Sequence, residues 1–409
     1  MTTIDITQEV PTSVIGTPRL LAGVDVVGHV DLPHHRSLHG DISLRTREWL
    51  TEAMRGVNLL GRGGAAFPVA IKLDAMPTGR AVNILVNGSE GEPASHKDRT
   101  LMTAVPHLVM DGALLAAHAL GTTDVAIVVH DAWAHESMVR AARERRDTSH
   151  VDIVKTCDGF VGGEIRAVIK GLNTGSARPG GRRELPHTHG VGQRPTFGSN
   201  VETFAQIALL ASMGPVNYAR SGHRDEPGTS LVTLIGDVLH HGVVEVPNGI
   251  SLDLLLGAHS EVPVLIGGYH GTWVRSIRGV TLDRAALRAS GAPLGAGVIA
   301  RPFPGTCLLT EVAAVSRWLA GESAGQCGPC FFGLPALAAD MQAFADGTGS
   351  AAQASRRIQQ VRGRGACAHP DGAVQFMSSA ITALADDIAV HRTHGTCGRP
   401  ASTILTRTS

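Results

Sequence analysis

Ala81-Val-Asn-Ile-Leu-Val-Asn-Gly-Ser-Glu-Gly-Glu-Pro93 sets an apolar run, Ala81–Val86, directly against a polar, glycine-rich loop that carries two acids. Such a run predicts a strand covered on both faces. Downstream, Pro106–Leu120 has helical apolar spacing, with Gly121 placed to end it. Asp124–Val129 predicts a second strand, Trp133–Arg146 a second helix and Val151–Val154 a third strand. Strands alternating with helices predict an α/β fold with a parallel, doubly wound sheet. Ligands of such sheets sit at the carboxyl ends of the strands. The loops Asn87–Pro93 and Gly159-Phe-Val-Gly-Gly-Glu164 then share the ligand edge. Their glycines and acids suit hydrogen bonding to ribityl or ribose hydroxyls and to a heterocycle.

Upstream, Ser43–Leu60 is helical by spacing until Gly61-Arg-Gly-Gly-Ala-Ala-Phe-Pro68 interrupts it, and Val69–Leu73 resumes. A glycine-rich loop opening a helix offers free N–H groups and the positive end of a dipole, which suits a phosphate. Arg62 and Lys72 have the matching charge, although an ordinary tight turn accounts for the loop alone equally well. His34, His35 and His39 are expected in a solvated polar loop. The basic, Pro/Gly-rich segment Ala177–His189, with Arg178, Arg182 and Arg183, reads as a loop able to face an anion or only solvent. Val191–Thr203 enters a helix running through Leu210.

Near Pro227 the composition changes. Ser230–Gly236, Val243–Val246 and Val262–Ile266 are short β-like runs joined by Gly, His and Asn-Gly turns, with a helix at Leu252–Leu256. A small β-grasp-like module is expected. After Arg301 the chain turns helical over Leu308–Leu319, Leu334–Ala345, Ala351–Val361 and Ala373–Ile388. The polar tail after His391 is expected to fray.

The third part carries Gly321-Glu-Ser-Ala-Gly-Gln-Cys-Gly-Pro-Cys-Phe-Phe-Gly333, a C-x2-C pair of Cys327 and Cys330, followed by Cys367. Closely spaced thiolates turned onto one inorganic centre are how iron–sulfur clusters are held. Three thiolates allow a 3Fe-4S centre, or a 4Fe-4S centre with a non-cysteine fourth ligand. Ser323, His369, His391, His394 and Cys397 are nominal candidates for that ligand, and ordinary buried cysteines are the competing account. Cys157 and Cys307 are expected to be structural.

At 409 residues, two or three domains are expected. Lys+Arg and Asp+Glu both number 36, so no global charge draws the chain to nucleic acid or a membrane surface. Six cysteines are too sparse for a disulfide framework and fit a reducing cytoplasm. The opening Met-Thr-Thr-Ile-Asp-Ile has neither a basic start nor an apolar core, so no secretory leader is expected. The apolar stretch Leu108–Leu120 is too short to span a bilayer, and any membrane association would come through partners.

With these residues in hand, the chain resembles the NADH-binding, FMN-carrying subunit of respiratory complex I and its relatives in soluble hydrogenases and formate dehydrogenases. Four motifs carry the resemblance in order, from about residue 55 to about residue 385. Gly61–Pro68 with Lys72 is similar to the flavin loop Gly-Arg-Gly-Gly-Ala-Gly-Phe-Pro. Asn87–Arg99 is similar to Asn-Ala-Asp-Glu-x-Glu-Pro-Gly-Thr-Phe-Lys-Asp-Arg. Arg194–Thr203 is similar to Arg-Pro-Thr-x-x-Asn-Asn-Val-Glu-Thr, and Glu322–Gly333 with Cys367 to the cluster motif. The resemblance implies a Rossmann-like FMN domain (1–226), a ubiquitin-like β-grasp domain of the soluble-ligand-binding type (227–300) and a helical iron–sulfur domain (301–409). It implies hydride transfer from NADH to FMN and single-electron transfer to the cluster. Gly61, Arg62, Gly63, Gly64, Lys72, Asn87, Ser89, Glu90, Gly163, Glu164, Ser199 and Asn200 would hold FMN. Phe67, Glu92 and Arg182 would meet NADH, and Cys327, Cys330 and Cys367 would hold the metal.

The departures bear on function. Ala324 stands where the family has the first cluster cysteine, and Ile165 replaces the second acid of Gly-Glu-Glu beside the nicotinamide. Ser89 replaces an Asp, Ala66 a Gly, Ser199 an Asn and Leu185 a Phe, while Arg182 keeps the charge of a Lys. Losing one such carboxylate weakens binding by ~1–3 kcal/mol without abolishing it. Three readings follow. The chain is an NADH dehydrogenase-like flavin-dependent oxidoreductase; or it exchanges electrons with a ferredoxin-like or other electron-transfer subunit without NADH; or it is a non-catalytic scaffold. The basic run Arg356, Arg357, Arg362 and Arg364 fits an acidic ferredoxin, or a solvated helix face.

Overall fold

Thr46 caps a helix, α1 (Arg47–Gly56), by accepting from the Trp49 N–H, and Leu50, Ala53 and Met54 on its inner face are buried. The computed structural model describes residues 10–156, 159–181, 185–257 and 262–406. After the Gly61–Pro68 loop come α2 (Val69–Asp74), β1 (Asn83–Gly88), α3 (Lys97–Ala104), α4 (Pro106–Ala119), β2 (Val125–Val129), α5 (Ala132–Arg143), β3 (Val151–Lys155), α6 (Ile165–Thr174), β4 (Thr196–Asn200) and α7 (Val201–Tyr218). The four strands form a parallel sheet in the order β3-β2-β1-β4. Leu108–Ala117 of α4 is buried all round because α7 packs directly on it. Gly112 permits that approach, since a Cβ there would meet the Phe204 carbonyl oxygen at 1.9 Å.

A second sheet follows, with five strands from this part of the chain, β5 (Thr229–Gly236), β6 (Gly242–Pro247), β7 (Val264–Ile266), β8 (Thr272–Val274) and β9 (Val298–Arg301), and with helices α8 (Leu252–Leu256) and α9 (Arg284–Ala289) between them in sequence. Its order is β6-β5-β9-β7-β8, with β5 and β9 parallel at the centre and the other neighbours antiparallel. This is the layout expected of a β-grasp. The strand Thr12–Val14 extends it by pairing parallel to β6, so these three residues belong to this sheet although they fall within the 1–226 span of the expected first domain. Leu252, Leu255, Leu282, Leu287 and Ile299 fill the core beneath it.

Five helices complete the chain: α10 (Leu308–Gly321), α11 (Leu334–Ala345), α12 (Ala351–Val361), α13 (His369–Ala383) and α14 (Ala385–His394). The stretch expected as one helix over Ala373–Ile388 is two, bent by 70°. Among the described residues no single helix is long and apolar enough to cross a membrane.

Three further expectations are corrected. His34, His35 and His39 lie in a helix, Leu32–His39, and His35 is buried with its Nε2 2.8 Å from Asp111 Oδ2. Thr196–Asn200, which has little strand character in sequence, is the edge strand β4. The tail is docked through its described residues, which end at 406: Cys307 N–H donates to Pro400 O (2.7 Å), Ser402 N–H to Cys307 O (3.0 Å) and Leu405 N–H to Glu311 Oε1 (2.6 Å). Glu311 is a buried carboxylate, and the tail supplies its donors.

Candidate functional site

β1 lies between β2 and β4, so the chain leaves it first to one side of the sheet and later to the other. Such a topological switch opens a crevice at the carboxyl ends of the two strands on either side of it, here β1 and β4. Glycines let the loops around it interlock. A Cβ on Gly163 would meet Ser89 O at 2.8 Å, and one on Gly91 would meet Phe160 O at 2.9 Å. Asn87 joins the same loops, donating from Nδ2 to Gly163 O (2.9 Å) and accepting from Ser89 N–H (3.1 Å). From the other side a Cβ on Gly63 would meet Asn200 Cβ at 3.2 Å, and Gly64 takes φ +90° in the flavin-type loop with Gly61. Ala66 takes φ +52° where glycine would be relaxed.

Two polar groups here are left wanting. Ser89 Oγ is buried without a hydrogen-bond partner. Lys72 Nζ crosses to β4 and donates to Gly198 O (3.0 Å), with no carboxylate within ion-pair distance among the described residues, and burial lowers its pKa. A desolvated ammonium and an orphaned hydroxyl beside a glycine-lined crevice fit a ligand with an anionic group and hydroxyls. The residues present therefore fit FMN. Ser199 is buried on β4.

Other expected contacts are organised differently. Arg62 does not offer its charge to the crevice; it is buried against Glu226 (3.0 Å) and Glu202 (3.7 Å), and its N–H donates to Thr203 Oγ1 (2.9 Å). The pairing extends to Arg284 on Glu226, and to Lys97, which meets Glu202 (3.1 Å) and Asp98 (2.7 Å). Asn200 caps α7 through the Glu202 N–H and bonds both Lys97 and Asp98. Burial opposes the charge of Lys97, yet Asp98 and Glu202 hold its pKa above the ordinary range. Three cations and three carboxylates thus balance inside the joint between the first sheet and the second, because each would be costly there alone.

Glu90 caps α3 from a distance, accepting from Asp98 N–H (3.1 Å), Arg99 N–H (3.0 Å) and Ser95 Oγ (2.5 Å). Glu92, expected at the dinucleotide, instead faces the turn before β8. It is 8% exposed and accepts from Tyr269 N–H (2.9 Å), and burial raises its pKa to about 8. Glu164 starts α6 and lies 3.7 Å from Arg166 Nε. Ile165, in place of the second acid, packs with Leu85, Val128 and Val168. Phe67 is 49% exposed and open to a ligand. Arg182 and Cys157 lie outside the described residues.

At the far side, Cys327 and Cys330 sit where the chain leaves α10, Cys330 in a π-helical turn, Pro329–Gly333. Burial raises the Cys330 thiol to about 11; a hydrogen bond with Ser323 opposes this, and the neighbouring thiols of Cys327 and Cys367 add to it. The three cysteines thus share one locality with the Ser323 hydroxyl at its margin, and they fit a thiolate-held centre. Ala324 is buried beside them. His369 is excluded as fourth ligand, since its Nε2 meets Leu319 O (2.9 Å) and its Nδ1 meets His270 (3.1 Å). His391 and Cys397 gather instead at Cys307, all three with ligand atoms within 4.8 Å of one another. Phe160 N–H, in the second crevice loop, donates to Glu322 Oε2 (2.8 Å), which ties the crevice directly to the cysteine loop. The Phe160 ring packs edge-on to His270, Trp318 and His369. The sequence names Phe160 and Glu322 in two separate motifs but gives no sign of their contact, because neither motif points to the other.

Residues 54–209 match the model of the Nuo51 FMN-binding domain, and residues 310–391 that of the NADH-ubiquinone oxidoreductase-F iron–sulfur binding region. The second of the NADH-quinone oxidoreductase F subunits of Rhizobium meliloti is 27% identical, over 91% of this chain and 97% of that protein. The NADH-quinone oxidoreductase F subunit of Salmonella typhimurium is 27% identical, over 81% of this chain and 82% of that protein. An NAD+-reducing NiFe hydrogenase, solved in its air-oxidised state, superposes with a TM-score of 0.80 at 24% identity, over 94% of this chain and 68% of that one, and so shares the fold. The two matched regions together cover more than half of the chain and hold the crevice and the cysteines, and the chain belongs to the family of FMN- and iron–sulfur-binding F subunits of complex I-type NADH dehydrogenases.

Proposed function

We propose that this chain is the electron-input subunit of a larger oxidoreductase, taking electrons from NADH at a flavin and delivering them through an iron–sulfur centre to a partner electron-transfer subunit. FMN, when bound, supplies the means to accept a hydride and release electrons one at a time. The observation that carries the reading is a pair of groups at the switch point, Lys72 Nζ, which has a carbonyl but no carboxylate partner among the described residues, and Ser89 Oγ, which is buried without a hydrogen bond. Lys72 binds the anionic end and Ser89 a hydroxyl, while Asn87, Gly163 and Asn200 keep the loops in register. Phe67 stands at the open face for the dinucleotide. The Phe160–Glu322 contact keeps the cysteine loop against the crevice, which shortens the electron path. A reducing cytoplasm goes with thiolate ligands. The exposed Phe331 and Phe332, beside Cys330, and the exposed Arg356, Arg362 and Arg364 suit docking of an acidic partner; Arg357 is instead paired with Asp340.

A second reading is favoured by the fate of the dinucleotide residues. Glu92 is absorbed into the joint and Ile165 into an apolar cluster, which suits a flavoprotein that receives electrons from a protein carrier. Anaerobic titration of the FMN-loaded full chain separates the two. Bleaching of the flavin band by NADH supports the first, and bleaching only by reduced ferredoxin supports the second. A chain that takes up no FMN would overturn both and leave a non-catalytic scaffold. Lys72→Met is expected to weaken FMN binding about 10- to 100-fold, as loss of a charged hydrogen bond should.

A further inference from the structure

Cys307 caps the start of α10, His391 lies in the last turn of α14, and Cys397 is on the docked tail. The two Sγ atoms and a ring nitrogen of His391 all lie within 4.8 Å of one another, with Cys307 Sγ 3.5 Å from His391 Nε2. Among the described residues no other trio of His, Cys, Asp or Glu meets this criterion. Tetrahedral ligands placed ~2.3 Å from a zinc ion are ~3.8 Å apart, so this spacing is that of a single small ion. The histidine is in the right tautomer. Its Nδ1 is 2.7 Å from the Ala345 carbonyl, which can only accept, so Nδ1 carries the proton and Nε2 turns its lone pair to the thiols.

The site is separate from the cluster cysteines. Cys307 begins α10 and Cys327 follows its end, and the helix has 14 residues, or about 20 Å at ~1.5 Å per residue. It is also built. The Cys307 backbone bonds Pro400 and Ser402 on the tail, and Gly347 lets the chain pass close to the His391 carbonyl, which an added Cβ would meet at 2.4 Å. Arg399, beside Cys397, is matched by Asp387 at 2.6 Å, so two thiolates and a neutral imidazole are left to neutralise one divalent cation.

The geometry points to a second metal centre, in which Cys307, His391 and Cys397 bind one zinc-class divalent cation that staples the C-terminal tail to α10 and α14. Binding releases the two thiol protons to solvent, and because Cys397 is only half-buried a water can complete the tetrahedron. This site is independent of how electrons enter the protein.

The test is titration of the anaerobic, reduced full chain with Co2+, followed by Zn2+ competition. Cys327→Ser keeps the ion from the cluster site. In that background the expected result is one Co2+ per chain with a thiolate charge-transfer band, displaced by Zn2+. Adding Cys397→Ser should weaken Co2+ binding at least about tenfold. In an otherwise native chain Cys397→Ser should leave iron content unchanged, and Zn2+ should protect the native tail, but not the Cys397→Ser tail, from carboxypeptidase. Equal Co2+ uptake with and without Cys397, or no uptake at all, would overturn the proposal. So would a Cys307–Cys397 disulfide in protein kept under reductant.

Discussion

Glu92→Gln tests how the joint between the crevice and the β-grasp module is held. The Glu92 carboxyl is buried against Tyr269, and burial raises its pKa from 4.5 to about 8. Because the folded protein keeps this proton up to about pH 8 while the unfolded chain releases it near 4.5, the folded state binds more protons between those values. Stability therefore falls as pH rises through that window. At ~1.4 kcal/mol per pKa unit, the cost to the wild type is about 1 kcal/mol at pH 5, about 3 at pH 7 and nearly the full ~5 above pH 8. Glutamine accepts from the Tyr269 N–H without ionising, so the variant escapes this cost. Urea denaturation of both proteins, followed through the buried Trp273 and the nearby Trp318, gives the difference at each pH, and other titrating groups cancel in it. The variant should be slightly the more stable at pH 5 and more so by several kcal/mol at pH 8.5. A difference that does not change with pH, or a variant less stable at pH 8.5, would refute the reasoning.

Ala324→Cys should supply the missing thiolate, because Ala324 is buried beside Ser323 and the cluster cysteines; after reconstitution iron should rise by about one atom per chain, with an altered EPR signal. Ala66→Gly relieves a residue held at φ +52° and should stabilise the chain by about 1 kcal/mol in urea melts; a destabilised variant would show that the methyl group does necessary packing. Arg62→Met leaves Glu202 and Glu226 short of a cation in a buried network and should cost about 3–5 kcal/mol, whereas a surface role would leave the unfolding midpoint in place.

Much of the frame was legible from local pattern. The apolar run ending at Val86, the helices on either side of it and the strand at Val125–Val129 appear within a few residues of where periodicity puts them. β4 was not legible, since Thr-Phe-Gly-Ser-Asn has one apolar side chain. It is a strand because β1 offers it a ladder, and because Gly198 leaves room for Ile165, whose Cδ1 is 2.9 Å from where a Cβ would stand. In the site, glycine-rich loops and the Cys327–Cys330 spacing announced themselves because each is a short contiguous motif. Arg62 and Glu92 were misplaced because a charged residue in such a loop looks alike whether it turns outward to a ligand or inward to a partner far along the chain. Glu226, on which Arg62 settles, is 164 residues away.

By itself, then, the sequence determined the alternation of elements, the crevice loops and the close Cys327–Cys330 pair, since these depend on periodicity and on neighbours within a dozen residues. Only the tertiary structure decided which charges neutralise one another across the joint, and that α14 and the tail behind it bring His391 and Cys397 to Cys307, His391 being 84 positions along the chain from Cys307. Such encounters follow from where rigid elements end in space, and no local pattern encodes that distance.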